Sequence, residues 1–109
     1  MPHAVIEYSA NIIPKNIIPL VHEAMIASGL FEADNIKTRA YVANDFMVGT
    51  KGAEGRFVHL TVAILSGRTM EQRQTLSQSL IDILKASFPD ADSLTVEIRE
   101  MDRETYRKQ

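Results

Sequence analysis

The chain has 109 residues, which is the size of one domain and too short for an enzyme with separate cofactor and substrate domains. Its formal charge is −2, with 45% hydrophobic and 24% charged residues, which argues against disorder and against a nucleic-acid-binding domain. The absence of cysteine excludes disulfides, thiolate metal sites, iron–sulfur clusters and a cysteine nucleophile. No apolar run is long enough to span a membrane, and the N-terminus lacks the features of a secretory signal, so we expect a cytoplasmic protein.

The first half of the chain predicts a strand, a helix and a second strand. Residues 4–8 form a short β-prone run that ends at a polar break. Asn16 is the expected N-cap of a helix that a glycine closes. Residues 36–42 predict the second strand, with apolar side chains on its core face and Lys37 and Arg39 on the opposite face.

The second half predicts the same order after a glycine-containing loop at residues 44–55. Residues 57–65 have the strongest strand pattern of the chain, and both faces of this strand are expected to be partly covered. Residues 69–72 have the capping-box pattern that begins a helix. Alternation over residues 94–99 predicts the last strand, and the charged tail from about Met101 is expected to be loose or packed in an oligomer.

This order predicts an α/β (α+β) fold of tandem βαβ units in a single domain, residues 1–109. Such units pair their strands in parallel within each half and cross over with a right hand. Two helices cover only one face of a four-stranded sheet. The other face would carry Phe57, Ala63 and Tyr41 among polar groups, so we expect oligomerisation to bury it.

The most unusual local feature is the N-terminal tripeptide Met1-Pro2-His3. An initiator methionine is expected to be removed before a small residue, and its removal would leave Pro2 with a terminal secondary amine. An α-amino group has a pKa of ~7.7 to 8, and cationic neighbours or an apolar pocket lower it. Pro2 is therefore a candidate base; the alternative is that proline is simply a frequent second residue.

Three cations are candidate ligands for a substrate carboxylate. Lys37 and Arg39 share one face of the second predicted strand, and Arg68 stands directly before the second predicted helix. Partly covered cations are costly unless they meet an anion. The alternatives are an edge strand kept soluble by Lys37 and Arg39, and an ordinary surface arginine at position 68. The three histidines are too scattered for a metal site, so no metal is expected.

Together these features resemble the tautomerase superfamily and, within it, the 5-carboxymethyl-2-hydroxymuconate isomerase family. The resemblance covers nearly the whole chain and is carried by Met1-Pro2-His3 with Glu7, Gly29-Leu30-Phe31, Ile36-Lys37-Thr38-Arg39, Phe57-Val58-His59-Leu60-Thr61, and Gly67-Arg68-Thr69 running into Glu71-Gln72-Arg73-Gln74. The chain departs from the family pattern at Lys37, where the pattern has arginine, and lysine cannot bind a carboxylate in the same bidentate way.

The resemblance implies a homotrimer in which the sheets face the centre and the helices lie outside. It implies that Pro2 is the general base and then the acid in keto–enol isomerisation of an unsaturated 2-hydroxy or 2-oxo (di)carboxylic acid, such as 5-carboxymethyl-2-hydroxymuconate, in aromatic catabolism. Arg39, Arg68 and Lys37 would bind the carboxylate and polarise the adjacent carbonyl. No cofactor would be needed, and the partners would be this small acid and the chain itself, with neither nucleic acid nor membrane.

Three other hypotheses stay open. A proline-dependent decarboxylase or hydratase of a related small acid would use the same residues. A non-catalytic trimeric protein that binds a small acid would keep the scaffold without turnover, and it would be indifferent to the loss of the Pro2 amine. A ferredoxin-like regulatory domain shares the element order, but it predicts a dimer and gives no reason for Pro2.

Overall fold

The structure is a computed structural model that describes residues 1–109. Its six main elements, in chain order, are the strand β1 (His3–Ser9), the helix α1 (Ile17–Ala27), the strands β2 (Lys37–Ala43) and β3 (Phe57–Leu65), the helix α2 (Met70–Ser87) and the strand β4 (Ser93–Met101). Short 3₁₀ turns lie at Ala33–Asn35 and Gly49–Lys51. Neither α-helix combines the length and the apolar character that crossing a membrane would require.

The four strands form one mixed sheet in the order β2-β1-β3-β4. Within each half the strands pair in parallel, as predicted, and the antiparallel pair β1 and β3 joins the halves at the centre. His3 is opposite Lys37 in β2 and opposite Ala63 in β3, while Leu65 is opposite Met101. The starts of β1 and β2 therefore lie at the same end of the sheet as the ends of β3 and β4, and we call this the Pro2 end.

Both helices lie on one face of the sheet and enclose the core between themselves and the strands. The strand β3 supplies every second residue to this core, as its alternation predicts, and each helix supplies residues at helical spacing. The fully or almost fully buried side chains include Val58, Leu60, Val62 and Ile64 of β3, Ile17, Val21 and Met25 of α1, and Leu76, Leu80 and Leu84 of α2. Each such side chain stabilises the fold by roughly 1.5–3 kcal/mol relative to its exposed state.

Local chemistry defines the ends of the helices. The Thr69 hydroxyl accepts a hydrogen bond from the Gln72 backbone N–H at 3.1 Å, and the Gln72 side chain accepts one from the Thr69 N–H at 2.9 Å, so the predicted capping box is present. Helix α1 begins after Asn16, but the Asn16 side chain makes no capping hydrogen bond, so the predicted position is right and the predicted mechanism is wrong. Gly29 follows α1 with φ +70, the left-handed conformation that glycine adopts at little cost.

The other face of the sheet carries no helix, and we call it the open face. It carries partly exposed side chains from β3, namely Phe57, His59, Thr61 and Ala63. An ion-pair network crosses it, in which Glu97 lies 3.4 Å from His59 Nε2 and 3.1 Å from Arg99 Nε. Tyr41 on β2 is 56% exposed. The open face thus mixes apolar groups with the Glu97–Arg99 ion pair and with the unpaired cations Lys37 and Arg39.

The segment after β4 folds back onto the Pro2 end as a single turn, which we call the tail turn (102–106). The Tyr106 backbone N–H donates to the Asp102 carbonyl at 3.1 Å. Arg103 Nε donates to the Ser66 carbonyl at 2.5 Å, and Lys108 beyond the turn donates to the Asn35 side chain at 2.5 Å. The tail that the sequence predicts to be loose or packed in an oligomer therefore contacts its own domain at several points.

Candidate active site

Pro2 is buried at the start of β1, next to the first residue of β2. Its carbonyl accepts a hydrogen bond from the Lys37 backbone N–H at 3.1 Å, which extends the parallel ladder by one step. The Met1 amine in turn donates to the Tyr106 hydroxyl at 2.9 Å. The sheet and the tail turn therefore hold the amino terminus between β2 and Tyr106.

Two lysines flank this terminus and converge on Asn35. Lys37 Nζ donates to the Asn35 backbone carbonyl at 2.9 Å, and Lys108 Nζ donates to the Asn35 side-chain oxygen. Neither lysine forms a salt bridge with a carboxylate. Their positive charges are therefore not compensated within the chain.

The surroundings lower the pKa of the Met1 amine from its ordinary value of 8.0. Burial is the largest cause, because it penalises the charged form, and the charges of Lys37 and Lys108 act in the same direction. A lower pKa increases the fraction of amine that is unprotonated at neutral pH. The same two lysines would act in the same direction on a Pro2 amine exposed by loss of Met1, and a general base requires such a lowered pKa.

Arg39 lies next to His3 on the open-face side of the Pro2 end. One guanidinium nitrogen of Arg39 is 3.2 Å from His3 Nδ1, and because arginine only donates, Nδ1 is the acceptor and the ring is neutral. The pKa of His3 is lowered, first by burial and then by the terminal amine, Arg39 and Lys37. His3 was not among the predicted site residues, although strand alternation puts it on the same face as Lys37 and Arg39.

Arg68 lies in the turn between β3 and α2 and is held by the segment that follows α1. Its guanidinium donates to the carbonyls of Leu30 at 2.8 Å and Leu65 at 3.3 Å, and it stacks over the Phe31 ring at 5.0 Å from the ring centroid. None of these contacts is with Pro2, Lys37 or Arg39. The structure thus brings those three together, and Arg68 lies at the same end of the sheet without contacting them.

The tail supplies three residues that sequence reasoning missed, namely Arg103, Tyr106 and Lys108. Tyr106 reaches a partner 105 residues earlier in the chain, so no local pattern could have revealed this contact. The available signal was the run of charged and aromatic residues after β4.

The Pro2 end collects five cations, none of which forms a salt bridge, although the chain as a whole has a net charge of −2. They are Lys37, Arg39, Arg68, Arg103 and Lys108. No group of three or more His, Asp or Glu side chains lies close enough together to hold a metal ion. The arrangement can attract an organic anion and present it to an amine with a lowered pKa.

Known proteins match this chain in sequence and in fold. The family model described as 5-carboxymethyl-2-hydroxymuconate isomerase matches residues 2–109. A relative from Escherichia coli, named 5-carboxymethyl-2-hydroxymuconate Delta-isomerase, is 28% identical over 92 residues, which cover 81% of this chain and 73% of that protein.

The fold is shared with solved structures of the same family and beyond it. A 5-carboxymethyl-2-hydroxymuconate isomerase from Deinococcus radiodurans R1 superposes with a TM-score of 0.87 at 24% identity, over 99% of this chain and 88% of that one. A fused 4-OT described as a symmetric trimer gives a TM-score of 0.79 at 17% identity, over 97% and 90%. The family model spans the whole domain, including Pro2 and the tail. The chain therefore belongs to the 5-carboxymethyl-2-hydroxymuconate isomerase family and is an isomerase of the tautomerase type.

Proposed function

We propose that this isomerase catalyses cofactor-independent keto–enol tautomerisation of an unsaturated 2-hydroxy or 2-oxo (di)carboxylic acid such as 5-carboxymethyl-2-hydroxymuconate. The observation that carries the proposal is the set of cations without carboxylate partners around the amino terminus. Two of them, Lys37 and Lys108, contribute to lowering the pKa of the Met1 amine, and they would act likewise on the Pro2 amine. The name of the Escherichia coli relative supports this choice of substrate. The catalytic group is the secondary amine of Pro2 after removal of Met1.

The proposed reaction moves one proton and one double bond. The unprotonated Pro2 amine takes a proton from the substrate and leaves a dienolate, and the resulting ammonium returns a proton to a different atom of the same conjugated system. No electrons leave the substrate, so no redox partner is needed. Arg39, Arg68 and Lys37 bind the carboxylate and stabilise the negative charge that develops on the oxygen.

We infer that the open face is the surface through which the chain forms a homotrimer. Phe57 and Ala63 give this face an apolar component that no helix covers, and the fused 4-OT neighbours described as trimers share the fold. The single domain spans residues 1–109 in this proposal. A cytoplasmic location stays a prediction.

The test is the rate of ketonisation of 2-hydroxymuconate, followed by ultraviolet absorbance with the untagged protein and with Pro2→Ala. Because positioned proton transfer contributes ~10²- to 10⁴-fold, we expect kcat to fall by about 100-fold or more in Pro2→Ala. The matched control is Pro19→Ala, which replaces an exposed proline in the first turn of α1 and should keep the wild-type rate.

Mass spectrometry of the same samples establishes whether Met1 is absent. If Met1 is absent and the wild-type protein shows no rate above buffer, the tautomerase proposal is wrong for this substrate class. The decarboxylase or hydratase and the non-catalytic binding protein would then be tested with the same acids, by product analysis and by calorimetry.

A further inference from the structure

A second feature of the Pro2 end is a polar cavity of about 320 Å³ on the helix side of the sheet. The β3–α2 turn, the segment after α1 and the tail turn border it, and it is open to solvent. Its lining residues are Gly29, Leu30, Gly67, Arg68, Gln72 and Arg103. Two of these residues carry a positive charge and none carries a negative one, so the cavity favours an anion.

Arg103 and Gln72 offer hydrogen-bond donors that no protein group uses. Arg103 engages only its Nε, with the Ser66 carbonyl, so both terminal guanidinium nitrogens are without an acceptor. Gln72 uses its side-chain oxygen in the capping box with Thr69, which leaves its amide N–H groups unengaged. These donors are suited to a carboxylate, which accepts two parallel hydrogen bonds from one guanidinium.

Gly67 keeps the space beside Arg103 open. A Cβ at position 67 would stand 3.4 Å from the terminal nitrogen of Arg103, and the φ of +125 at this residue is one that other L-residues rarely adopt. Glycine therefore permits both the turn and the approach of a ligand to the Arg103 guanidinium.

The cavity lies at the same end of the sheet as Pro2. His3 is opposite Ala63 of β3, and the lining residues Gly67 and Arg68 follow directly after the end of β3. Within the tail turn, Tyr106 accepts a hydrogen bond from the Met1 amine at 2.9 Å, while Arg103 lines the cavity. The tail turn therefore contacts both the amino-terminal segment and the cavity.

We propose that Arg103 is a specificity-determining residue that binds the distal carboxylate of a dicarboxylate substrate, with the Gln72 amide as a second donor. The reacting end of the substrate then lies at Pro2, and Arg68 lines the same cavity as Arg103. This proposal rests on the proposed function, because it assigns one end of the substrate to the Pro2 amine. In this proposal Arg103 binds substrate in addition to holding the tail through its hydrogen bond to the Ser66 carbonyl.

The test compares two dienol substrates, 2-hydroxymuconate with two carboxylates and 2-hydroxypenta-2,4-dienoate with one. A hydrogen bond to a charged group contributes ~1.5–3 kcal/mol, so Arg103→Gln should raise KM for the dicarboxylate by about 10- to 100-fold. The kcat for this substrate and the KM for the monocarboxylate should stay within about twofold of wild type, because the amine and its neighbours are unchanged. Arg103→Lys should recover part of the loss.

The matched control is Arg107→Gln, which removes the same charge from the same tail. The Arg107 guanidinium donates only to the Glu104 and Tyr106 carbonyls of its own segment, so both substrates should keep their wild-type KM values. Circular dichroism and thermal melts of Arg103→Gln and Arg103→Lys show whether each variant folds. Equal losses on both substrates, or an equal loss in Arg107→Gln, would overturn the assignment.

A binding experiment separates this proposal from the tautomerase proposal. If wild-type protein turns over neither substrate, the proposed function fails, and calorimetry with adipate and hexanoate then tests the cavity by itself. Adipate binding that weakens in Arg103→Gln while hexanoate binding does not change would support the anion site. Unchanged adipate binding in Arg103→Gln would overturn it.

Discussion

Among single residues, Lys37 is expected to have two separable effects on the Pro2 end, one on the charge of the amine and one on the substrate. Burial lowers the pKa of the Met1 amine most, and the nearby Lys37 charge lowers it further, as it should for a Pro2 amine. Removing that charge in Lys37→Gln should raise the pKa of the amine, so a smaller fraction of base is present at neutral pH. The acid limb of the kcat/KM profile should therefore move to higher pH.

The profile of kcat/KM against pH, measured on 2-hydroxymuconate, checks this prediction. Lost carboxylate binding lowers the whole profile by a constant factor, whereas a changed pKa moves the limb, so the two effects are distinguishable. Lys85→Gln, in the last turn of α2, removes the same charge away from the amine and should leave the limb in place. A limb that stays fixed in Lys37→Gln would show that this charge does not act on the base.

The sequence predicts the positions of some residues of the Pro2 end but not of others. Alternation along β2 was sufficient to place Lys37 and Arg39 on one face, and the Arg39 contact with His3 agrees with it. Arg103 and Tyr106 could not be predicted, because their partners lie far away in the chain and depend on the completed sheet. Local patterns report which face a residue occupies, but not which distant segment meets it.

Among the elements, α2 depends on its capping box more than α1 depends on Asn16. Thr69→Ala removes the hydroxyl that accepts from Gln72, so it should lower the free energy of unfolding by ~1 kcal/mol. For a domain of this size, that loss corresponds to a Tm lower by about 4–8 °C. Calorimetry measures it, with Thr75→Ala on the exposed surface of the same helix as the control.

Thr75→Ala should leave Tm unchanged or slightly higher, because alanine is the better helix former. An equal loss in both variants would mean that the Thr69 hydroxyl does not cap the helix. No loss in Thr69→Ala would mean that Gln72 and water satisfy the free N–H groups without it.

The elements themselves were predictable where one local period dominates. The strand β3 has the bounds that its alternation predicts, and α2 begins at its capping box. The helical crossovers predict parallel pairing within each half. How the two halves join is not predicted by any short sequence pattern, and in the structure they join through the antiparallel pair of β1 and β3. Helix α1 shows the same limit on a smaller scale, since Asn16 marks the boundary without making the hydrogen bond.

For the whole molecule, a substitution on the open face should prevent self-association without unfolding the monomer. Thr61 lies in the middle of this face, between Val5 of β1 and Glu97 of β4. Thr61→Lys places a cation beside Glu97, which the monomer should tolerate, but in the proposed trimer it would bury three like charges at the centre. We expect a shift from trimer to monomer in sedimentation velocity, with circular dichroism unchanged.

Gln78→Lys adds the same charge on the exposed surface of α2 and should leave the trimer intact. A protein that is monomeric before any substitution would contradict the trimer proposal. A Thr61→Lys variant that stays trimeric would assign self-association to another surface.

The hydrogen bond between the Met1 amine and the Tyr106 hydroxyl can form only late in protein synthesis. Tyr106 is 105 residues downstream of Met1, so the ribosome must make nearly the entire domain before this contact can form. Until then the first residues are open to an aminopeptidase, whereas the folded domain holds the terminus between β2 and the tail. We therefore expect methionine removal to act on the nascent chain, and slow processing would yield a folded population whose Pro2 nitrogen remains in a peptide bond.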